Sequence, residues 1–127
     1  MRAPLLIAED SENDIVLFKM ALAKSACVRS TYFVRDGEEA IEWLQTNGAQ
    51  YALPLILITD LKMPRMDGFE LLKWVRSEEK FSKIPVIAYS SSGMAADVNK
   101  AYELGATNYF RKTASFSDLV SFIETVV

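Results

Sequence analysis

The feature that most constrains this sequence is an almost continuous apolar run that ends at a carboxylate. The run extends from Leu53 to Thr59, and Asp60 follows it directly. A run of this length, rich in Ile and Leu and bounded by Pro54 and Pro64, predicts a strand buried on both faces. Such strands belong to parallel sheets covered by helices, and ligands collect beyond their carboxyl ends. We therefore place Asp60 at a functional edge, although an Asp that merely caps the following turn would give the same local pattern.

The rest of the chain alternates short β-rich segments with segments that carry apolar residues at helical spacing. The predicted strands lie at 5–8, 28–34, 53–59, 84–89 and 107–110, and the helical stripes at 15–22, 40–44, 69–75, 94–104 and 116–127. This alternation predicts an α/β fold in which a doubly wound parallel sheet has helices on both faces. Because crossovers are right-handed, few topologies remain, and the flavodoxin-like (βα)5 order 2-1-3-4-5 is the common one at this size.

Composition narrows the functional classes. The 127 residues predict one domain, 1–127, without an output domain, and we expect a stand-alone protein. A formal charge of −3 argues against nucleic acid as a direct partner, and no apolar run is long enough to cross a membrane. The absence of His excludes His-ligated zinc and His-based catalysis. The single Cys27 suits a reducing compartment, so we predict a cytoplasmic location.

Acidic residues follow two of the predicted strands. Glu9 and Asp10 come directly after the first strand, and Asp60 follows the third. These strands are neighbours in the order 2-1-3-4-5, so we expect the three carboxylates to meet at one edge of the sheet. Like charges that converge there raise one another's pKa values unless a cation lies between them. An all-oxygen set of this kind suits Mg²⁺, which keeps several waters and gathers phosphate oxygens.

Two further polar residues end strands at the same edge. Ser90 follows the fourth predicted strand and Lys112 the fifth. A hydroxyl and an ammonium beside a metal site form a receptor for a phosphoryl group. We infer phosphoryl transfer onto Asp60 as nucleophile, with Mg²⁺ and Lys112 neutralising the charge on the equatorial oxygens. An ordinary loop serine at Ser90, and a surface lysine beside Arg111, are the alternatives.

With these residues in place, the sequence resembles the CheY-like receiver domains of two-component response regulators over essentially its whole length. The motifs that carry the resemblance are Glu9-Asp10, Asp60-Leu61-Lys62-Met63-Pro64-Arg65-Met66-Asp67-Gly68, Ser90 after Ile84-Pro85-Val86, and Lys112 after Gly105-Ala106. The opening Glu-Asp-Ser-Glu-Asn-Asp resembles single-domain receivers that accompany phytochrome-type kinases.

The resemblance implies a role for each matching residue. Asp60 corresponds to the phospho-acceptor. Glu9 and Asp10 correspond to the acids that bind Mg²⁺, together with Asp60 and the backbone carbonyl of Lys62. The family more often has two Asp residues where this chain has Glu9 and Asp10.

The resemblance also implies a conformational switch. Ser90 corresponds to the switch hydroxyl, Tyr109 to the switch aromatic and Lys112 to the phosphate-contacting lysine. A histidine kinase or histidine phosphotransfer protein would supply the phosphoryl group, and an unknown downstream protein would recognise the changed surface. The protein would then act on no substrate but itself, through phosphorylation and dephosphorylation of Asp60. Tyr109 as an ordinary core residue is the alternative to the switch role.

Three other functions fit parts of the pattern. A flavodoxin-like cofactor binder would need a phosphate-holding loop after the first strand, where this chain is acidic. A phosphatase of the haloacid-dehalogenase type would need a second Asp where Lys62 stands. A degenerate receiver that binds proteins independently of phosphorylation is the strongest rival. The wide apolar stripe of the last helix, which includes Phe122, Val126 and Val127, fits either core packing or a homodimer face.

Three local features carry their own predictions. Thr113 follows Lys112 where the family usually has a proline after a cis peptide bond. A cis bond before a non-proline costs roughly 3 kcal/mol, so we expect a trans bond or a visibly strained cis bond. Thr59 places a hydroxyl in an apolar strand and should find a backbone acceptor. Ser11 and Asp14 have the spacing of a capping box at the first helix.

Overall fold

A computed structural model describes residues 4–25, 29–48, 55–112 and 115–126, the last without its side chain. Strands and helices alternate throughout the described chain. They are β1 (Leu5–Ala8), α1 (Glu12–Lys24), β2 (Thr31–Val34), α2 (Gly37–Asn47), β3 (Ile56–Thr59), α3 (Gly68–Ser77), β4 (Val86–Ser90), α4 (Ala95–Glu103), β5 (Asn108–Arg111) and α5 (Phe116–Val126).

The five strands form one parallel sheet in the order β2-β1-β3-β4-β5, which confirms the predicted topology. The register sets the position of the functional edge. Ala8 at the end of β1 lies beside Val34 on one side and Thr59 on the other. Ser90 at the end of β4 lies beside Arg111 of β5. The residues that follow β1, β3 and β5 therefore leave the sheet at the same edge.

Each face of the sheet is covered by its own helices. Successive side chains of a strand point to opposite faces, and β1 shows this directly. Leu6 and Ala8 pack in the cluster that includes α2, α3 and Ala101 of α4. Leu5 and Ile7 pack with α1 and α5 in the second cluster. Both faces are thus apolar and covered, which explains why β1 and β3 are continuous apolar runs.

Strand boundaries differ from the sequence prediction by a few residues. β4 begins at Val86 and not at residue 84, since Pro85 has no N–H to donate to a neighbouring strand. β5 begins one residue later than predicted, at Asn108. β2 begins at Thr31, and the predicted strand residue Val28 lies outside the described residues, as do Leu53 and Pro54.

The helices are capped in different ways. At α3 the Asp67 carboxylate accepts a hydrogen bond from Glu70 N, and the Glu70 carboxylate accepts one from Asp67 N, so a full capping box forms. At α1 the predicted box forms only in part. Ser11 Oγ accepts from Asp14 N at 3.3 Å, but the Asp14 carboxylate binds Lys112 instead of Ser11 N.

The stripe of the last helix is largely core. Leu119, Phe122 and Ile123 are buried, whereas Phe116 is 41% exposed. Among these residues only Phe116 is open to a partner, and the side chain of residue 126 and residue 127 lie outside the description. The longest described helix, α1, has 13 residues, and no helix in the described ranges has both the length and the apolar character needed to span a bilayer.

Candidate functional site

The Asp60 carboxylate is fixed by the turn that follows β3. Its Oδ1 atom accepts hydrogen bonds from Leu61 N at 2.7 Å and Lys62 N at 3.3 Å. Its Oδ2 atom accepts a hydrogen bond from Lys112 Nζ at 3.0 Å. The whole residue is only 6% exposed. One carboxylate oxygen is therefore held by backbone amides, while the other faces the ammonium of Lys112.

The turn requires a glycine at its end. Gly68 N donates to the Leu61 carbonyl at 3.0 Å, and a Cβ at this position would overlap the Asp60 carbonyl oxygen. Thr59, just before the turn, donates from its hydroxyl to the same Asp60 carbonyl at 2.8 Å. The predicted backbone acceptor for Thr59 is thus confirmed.

Glu9, Asp10 and Asp60 converge as the sequence predicts. Each offers one carboxylate oxygen, and these three oxygens all lie within 4.8 Å of one another. Glu9 is 1% exposed and accepts a hydrogen bond from Ser11 N at its Oε1 atom, whereas Asp10 is open to solvent. The cluster therefore has a buried side and an accessible side.

The buried side of this cluster is compensated only in part, by the Lys112 ammonium. Burial raises the pKa of Glu9 to about 7, against the opposing hydrogen bond from Lys112 and with a further contribution from the Asp60 charge. Glu9 Oε2 accepts no well-directed hydrogen bond among the described residues, although the Lys112 ammonium forms an ion pair with it at 2.6 Å. Three converging carboxylates with such an oxygen fit a divalent cation.

Lys62 is the remaining predicted metal ligand. Its side chain is exposed, and its observed contact is the N–H bond to Asp60. Its carbonyl as a metal ligand stays a prediction.

Lys112 lies at the centre of the site. Its Nζ atom is 2.6 Å from Glu9 Oε2, 2.9 Å from Asp14 Oδ2 and 3.0 Å from Asp60 Oδ2, and its side chain is 10% exposed. Burial alone would lower the pKa of Lys112, but the hydrogen bonds to Glu9 and Asp14 and the charge of Asp60 outweigh it and raise the pKa. The ammonium is therefore charged at any physiological pH. The Lys112–Thr113 bond lies outside the described residues.

Two residues near Lys112 were missed as site residues. The sequence predicts Asp14 only as a capping partner, and Tyr89 only as part of a buried strand. The ring of Tyr89 lies 5.2 Å from Lys112 Nζ and packs edge-on against Phe18. A large aromatic in an otherwise aliphatic strand, directly before Ser90, is the signal that could have identified Tyr89.

Ser90 and Tyr109 are both hydrogen-bonded to Ser92, in the loop after β4. Ser90 is 1% exposed, and its Oγ accepts a hydrogen bond from Ser92 N at 3.2 Å. Tyr109 is half-buried and donates from its hydroxyl to the Ser92 carbonyl at 2.7 Å. Lys112 N also donates to the Ser90 carbonyl, at 2.8 Å. The predicted switch pair is thus linked through one short loop, and Ser90 reaches the same edge as Lys112.

Beside the site, a hydrogen bond links the loop after β2 to the loop after β3. Asp36, which is fully buried, caps α2 through Glu39 N and accepts a hydrogen bond from Arg65 Nε at 2.6 Å. Burial raises the pKa of Asp36, but the hydrogen bonds from Glu39 N and Arg65 outweigh this, so the pKa lies below its ordinary value. Arg65 has a φ of 61°, a left-handed conformation that is uncommon outside glycine. The loop after β3 is therefore anchored to the loop after β2.

The chain is similar to named proteins in sequence and, for one of them, in structure. Chemotaxis protein CheY1 of Helicobacter pylori is 33% identical over 123 residues, which cover 97% of this chain and 95% of the relative. Response regulator Rcp1 of Synechocystis is 29% identical over 124 residues, 96% of this chain and 84% of the relative. Its Mn²⁺-bound crystal structure matches with a TM-score of 0.81 and 28% identity, covering 99% of this chain and 91% of that one.

A further solved structure has higher identity. The bacteriophytochrome response regulator RtBRR matches with a TM-score of 0.81 and 36% identity, over 97% of this chain and 76% of that chain. The family model described as the response regulator receiver domain matches residues 5–124. Because that match covers nearly the whole chain, and the acids at the ends of β1 and β3 meet as a receiver requires, this protein belongs to the response regulator receiver domain family.

Proposed function

We propose that this protein is a phosphorelay receiver that accepts a phosphoryl group on Asp60 in a Mg²⁺-dependent reaction. The donor is a histidine kinase or a histidine phosphotransfer protein. The observation that carries the proposal is the environment of Asp60 Oδ2. It faces the buried ammonium of Lys112 at 3.0 Å, within a cluster of carboxylates whose oxygens lie within 4.8 Å. A carboxylate oxygen that no backbone amide holds, and that faces a fixed ammonium, is suited to in-line attack on phosphorus.

Each residue of the site has a separate role in the transfer. Hydrogen bonds from two backbone amides hold Oδ1, so Oδ2 is the oxygen that forms the new bond to phosphorus. As that bond forms, the bond from phosphorus to the donor imidazole nitrogen breaks, and the nitrogen keeps the electron pair. Lys112 then donates to a phosphoryl oxygen. Glu9, Asp10, Asp60 and the Lys62 carbonyl would hold Mg²⁺, which when bound neutralises charge on the phosphoryl oxygens.

The response is a change of surface and not the turnover of a separate substrate. A phosphoryl group at Asp60 adds negative charge and acceptor oxygens close to Ser90. Since Ser90 and Tyr109 are both bonded to Ser92, a movement of Ser90 changes the environment of the Tyr109 ring. The loop after β4 thereby transmits occupancy of the site to the surface of α4 and β5, where a downstream protein binds. We place this activity in the cytoplasm.

Labelling with acetyl phosphate and Mg²⁺ tests the assignment. The wild type should gain one phosphate by intact mass, and chelation of Mg²⁺ should prevent it. Asp60→Asn should gain none, whereas Glu42→Gln, which removes an exposed carboxylate from α2, should be labelled like the wild type. Full labelling of Asp60→Asn would refute the assignment.

A receiver that binds partners without phosphorylation is the second candidate. It is favoured by one observation, namely that the Tyr109 hydroxyl donates a hydrogen bond to the Ser92 carbonyl at 2.7 Å, which fixes the ring against the loop after β4. Beryllofluoride with Mg²⁺ separates the two functions. A phosphorylation-dependent receiver should show amide chemical shift changes in residues 90–94 and around Tyr109, and a constitutive module should show none there.

A further inference from the structure

Lys112 contacts three carboxylates, and one of them is not part of the proposed metal site. Its ammonium lies close to Glu9, Asp14 and Asp60, at 2.6, 2.9 and 3.0 Å. Glu9 and Asp60 are in the acidic cluster that fits a divalent cation, and Asp14 is not. Asp14 is therefore the carboxylate that remains available to Lys112 when the other two are committed to a cation or to phosphorus.

The start of α1 is arranged so that the Asp14 carboxylate can make this contact. In a full capping box, as at α3, the acid at the third helical position bonds back to the N-cap amide. At α1 the N-cap amide of Ser11 donates instead to Glu9 Oε1 at 3.1 Å. The Asp14 backbone is still fixed by Ser11 Oγ, but its carboxylate is free to accept from Lys112.

The contact restrains a side chain that is otherwise flexible. A lysine has many rotamers, and fixing its ammonium carries an entropic cost that must be met before phosphoryl transfer. The Lys112 ammonium is enclosed by its carboxylate partners and by the buried ring of Tyr89 at 5.2 Å. Asp14, with a side chain 28% exposed, lies at the rim of this enclosure. It can therefore hold the ammonium in place without occupying the centre of the site.

We propose that Asp14 is a positioning residue, which holds the Lys112 ammonium within reach of Asp60 Oδ2 and thereby sets the rate of phosphorylation. The inference rests on the proposed function, because it concerns the same acceptor. When Oδ2 bonds to phosphorus it loses its negative charge, and the ammonium turns to the phosphoryl oxygens. Asp14 remains its fixed anchor during that exchange.

The test compares Asp14→Asn with Glu12→Gln. Both variants remove one negative charge from the first turn of α1, but Glu12 is exposed and pairs with Arg35 at the surface. Acetyl phosphate with Mg²⁺ is the donor, and labelling of Asp60 is followed in time. The second readout is the ¹H–¹⁵N NMR signal of the Lys112 ammonium, which a purely structural role of Asp14 would leave unchanged.

Asp14→Asn should slow labelling about fivefold, because a charge-assisted hydrogen bond is roughly twice as strong as a neutral one. It should also shift and broaden the Lys112 ammonium signal. Glu12→Gln should change neither quantity, and Asp14→Glu should recover most of the wild-type rate. Circular dichroism melts of each variant report that the fold is retained.

The outcomes separate this inference from the function on which it rests. If the wild type takes up no label, the proposed function fails and the positioning role fails with it. If the wild type is labelled and Asp14→Asn matches it in rate and ammonium signal, only the positioning role is overturned. Equal slowing in Glu12→Gln would also overturn it, since the effect would then be one of overall charge.

Discussion

At the scale of single residues, close backbone packing sets the position of Asp60. Gly68 and Gly37 are the first residues of α3 and α2, beside the site, but their neighbours differ. A Cβ on Gly68 would overlap the backbone of Asp60. That backbone cannot shift without displacing the Asp60 carboxylate. The nearest atoms to a Cβ on Gly37 would be Cγ, Sδ and Cβ of Met66, of which Cγ and Sδ can move with a change of rotamer and Cβ only with a small backbone shift. The two glycines should therefore differ in their tolerance of alanine.

Gly68→Ala should lower the free energy of unfolding by about 2–4 kcal/mol, the range of substitutions that force a backbone shift. It should also slow labelling of Asp60 in the molecules that remain folded. Gly37→Ala should cost less, about 1–2 kcal/mol, because most of the overlap is with the outer part of the Met66 side chain, which can rotate away. Urea unfolding of both variants measures the difference. Equal costs would show that the overlap at Asp60 is relieved elsewhere.

Asp36 gives a pH dependence of known sign. Its pKa lies below the ordinary 3.8, because hydrogen bonds from Glu39 N and Arg65 outweigh the effect of burial. A carboxylate with a lowered pKa stabilises the fold above its unfolded pKa, and that stability is lost as the pH falls through the folded pKa. The stability that Asp36 contributes is therefore lost only in acid, as the pH falls below the ordinary pKa.

Asp36→Asn should lower the free energy of unfolding by about 1 kcal/mol near pH 7, because an Asn still caps α2 through Glu39 N but presents an amide N–H group to Arg65 in place of an acceptor. The ion pair adds little, since the Arg65 side chain is 55% exposed. The gap between variant and wild type should narrow as the pH falls below the ordinary pKa of the carboxyl group and the wild-type carboxylate protonates. Denaturant unfolding across this range is the measurement, and a gap independent of pH would contradict the assignment.

At the scale of elements, a single arginine joins α3 to the segments before β4 and β5. Arg76 donates from Nε to the Gly105 carbonyl at 2.9 Å, and from one terminal nitrogen to Ser82 and Ile84 carbonyls at 3.1 and 2.7 Å. Burial lowers the pKa of Arg76. Gly105 has a φ of 106°, which brings its carbonyl to the guanidinium and favours glycine.

Arg76→Met should lower the free energy of unfolding by about 2–3 kcal/mol, because three carbonyl acceptors lose a charged donor. Arg76→Lys should recover only part of this, since an ammonium lacks the planar fork that reaches separate acceptors. Lys73→Met, at an exposed position of the same helix, is the matched control and should be nearly neutral. Thermal unfolding measures all three, and a neutral Arg76→Met would refute the bridging role.

At the scale of the whole molecule, the acidic edge couples cation binding to folding. Three carboxylates from β1 and β3 meet only in the folded chain, so a cation that binds them stabilises the fold. With Mg²⁺ at a hundred times its Kd, the stabilisation should be about 2.7 kcal/mol, seen as a rise in Tm. Asp10→Asn should remove most of this rise, and Glu103→Gln on the exposed surface of α4 should not. A Tm independent of Mg²⁺ would refute the metal site.

The sequence predicts the site where topology alone determines it. Asp60 and the Glu9-Asp10 pair follow buried strands, so the strand order is enough to bring them together. The contacts of Asp14 and Tyr89 with Lys112 could not be predicted in this way. An acid three residues after a serine fits an ordinary cap, and an aromatic in a buried strand fits ordinary packing. Only the three-dimensional path of the Lys112 side chain distinguishes these alternatives.

The same limit applies to the loop that carries Arg65. Its partner Asp36 is 29 residues away, and nothing local marks the pair. The conformation of Arg65 depends on that distant contact, because a left-handed φ is uncommon for a non-glycine residue. Local pattern therefore gives the elements and the acidic edge, whereas long-range polar contacts decide how the loops are held.

The hydrogen bond between Lys112 and Asp14 joins residues 98 positions apart. Contacts of such high sequence separation form late, since the intervening chain must first be ordered. During synthesis, Asp60 leaves the ribosome well before Lys112, whose ammonium completes the site. If Asp60 is the phospho-acceptor that we propose, a ribosome-bound chain that has not yet released β5 should not take up a phosphoryl group, and this ability should arise only when folding is complete.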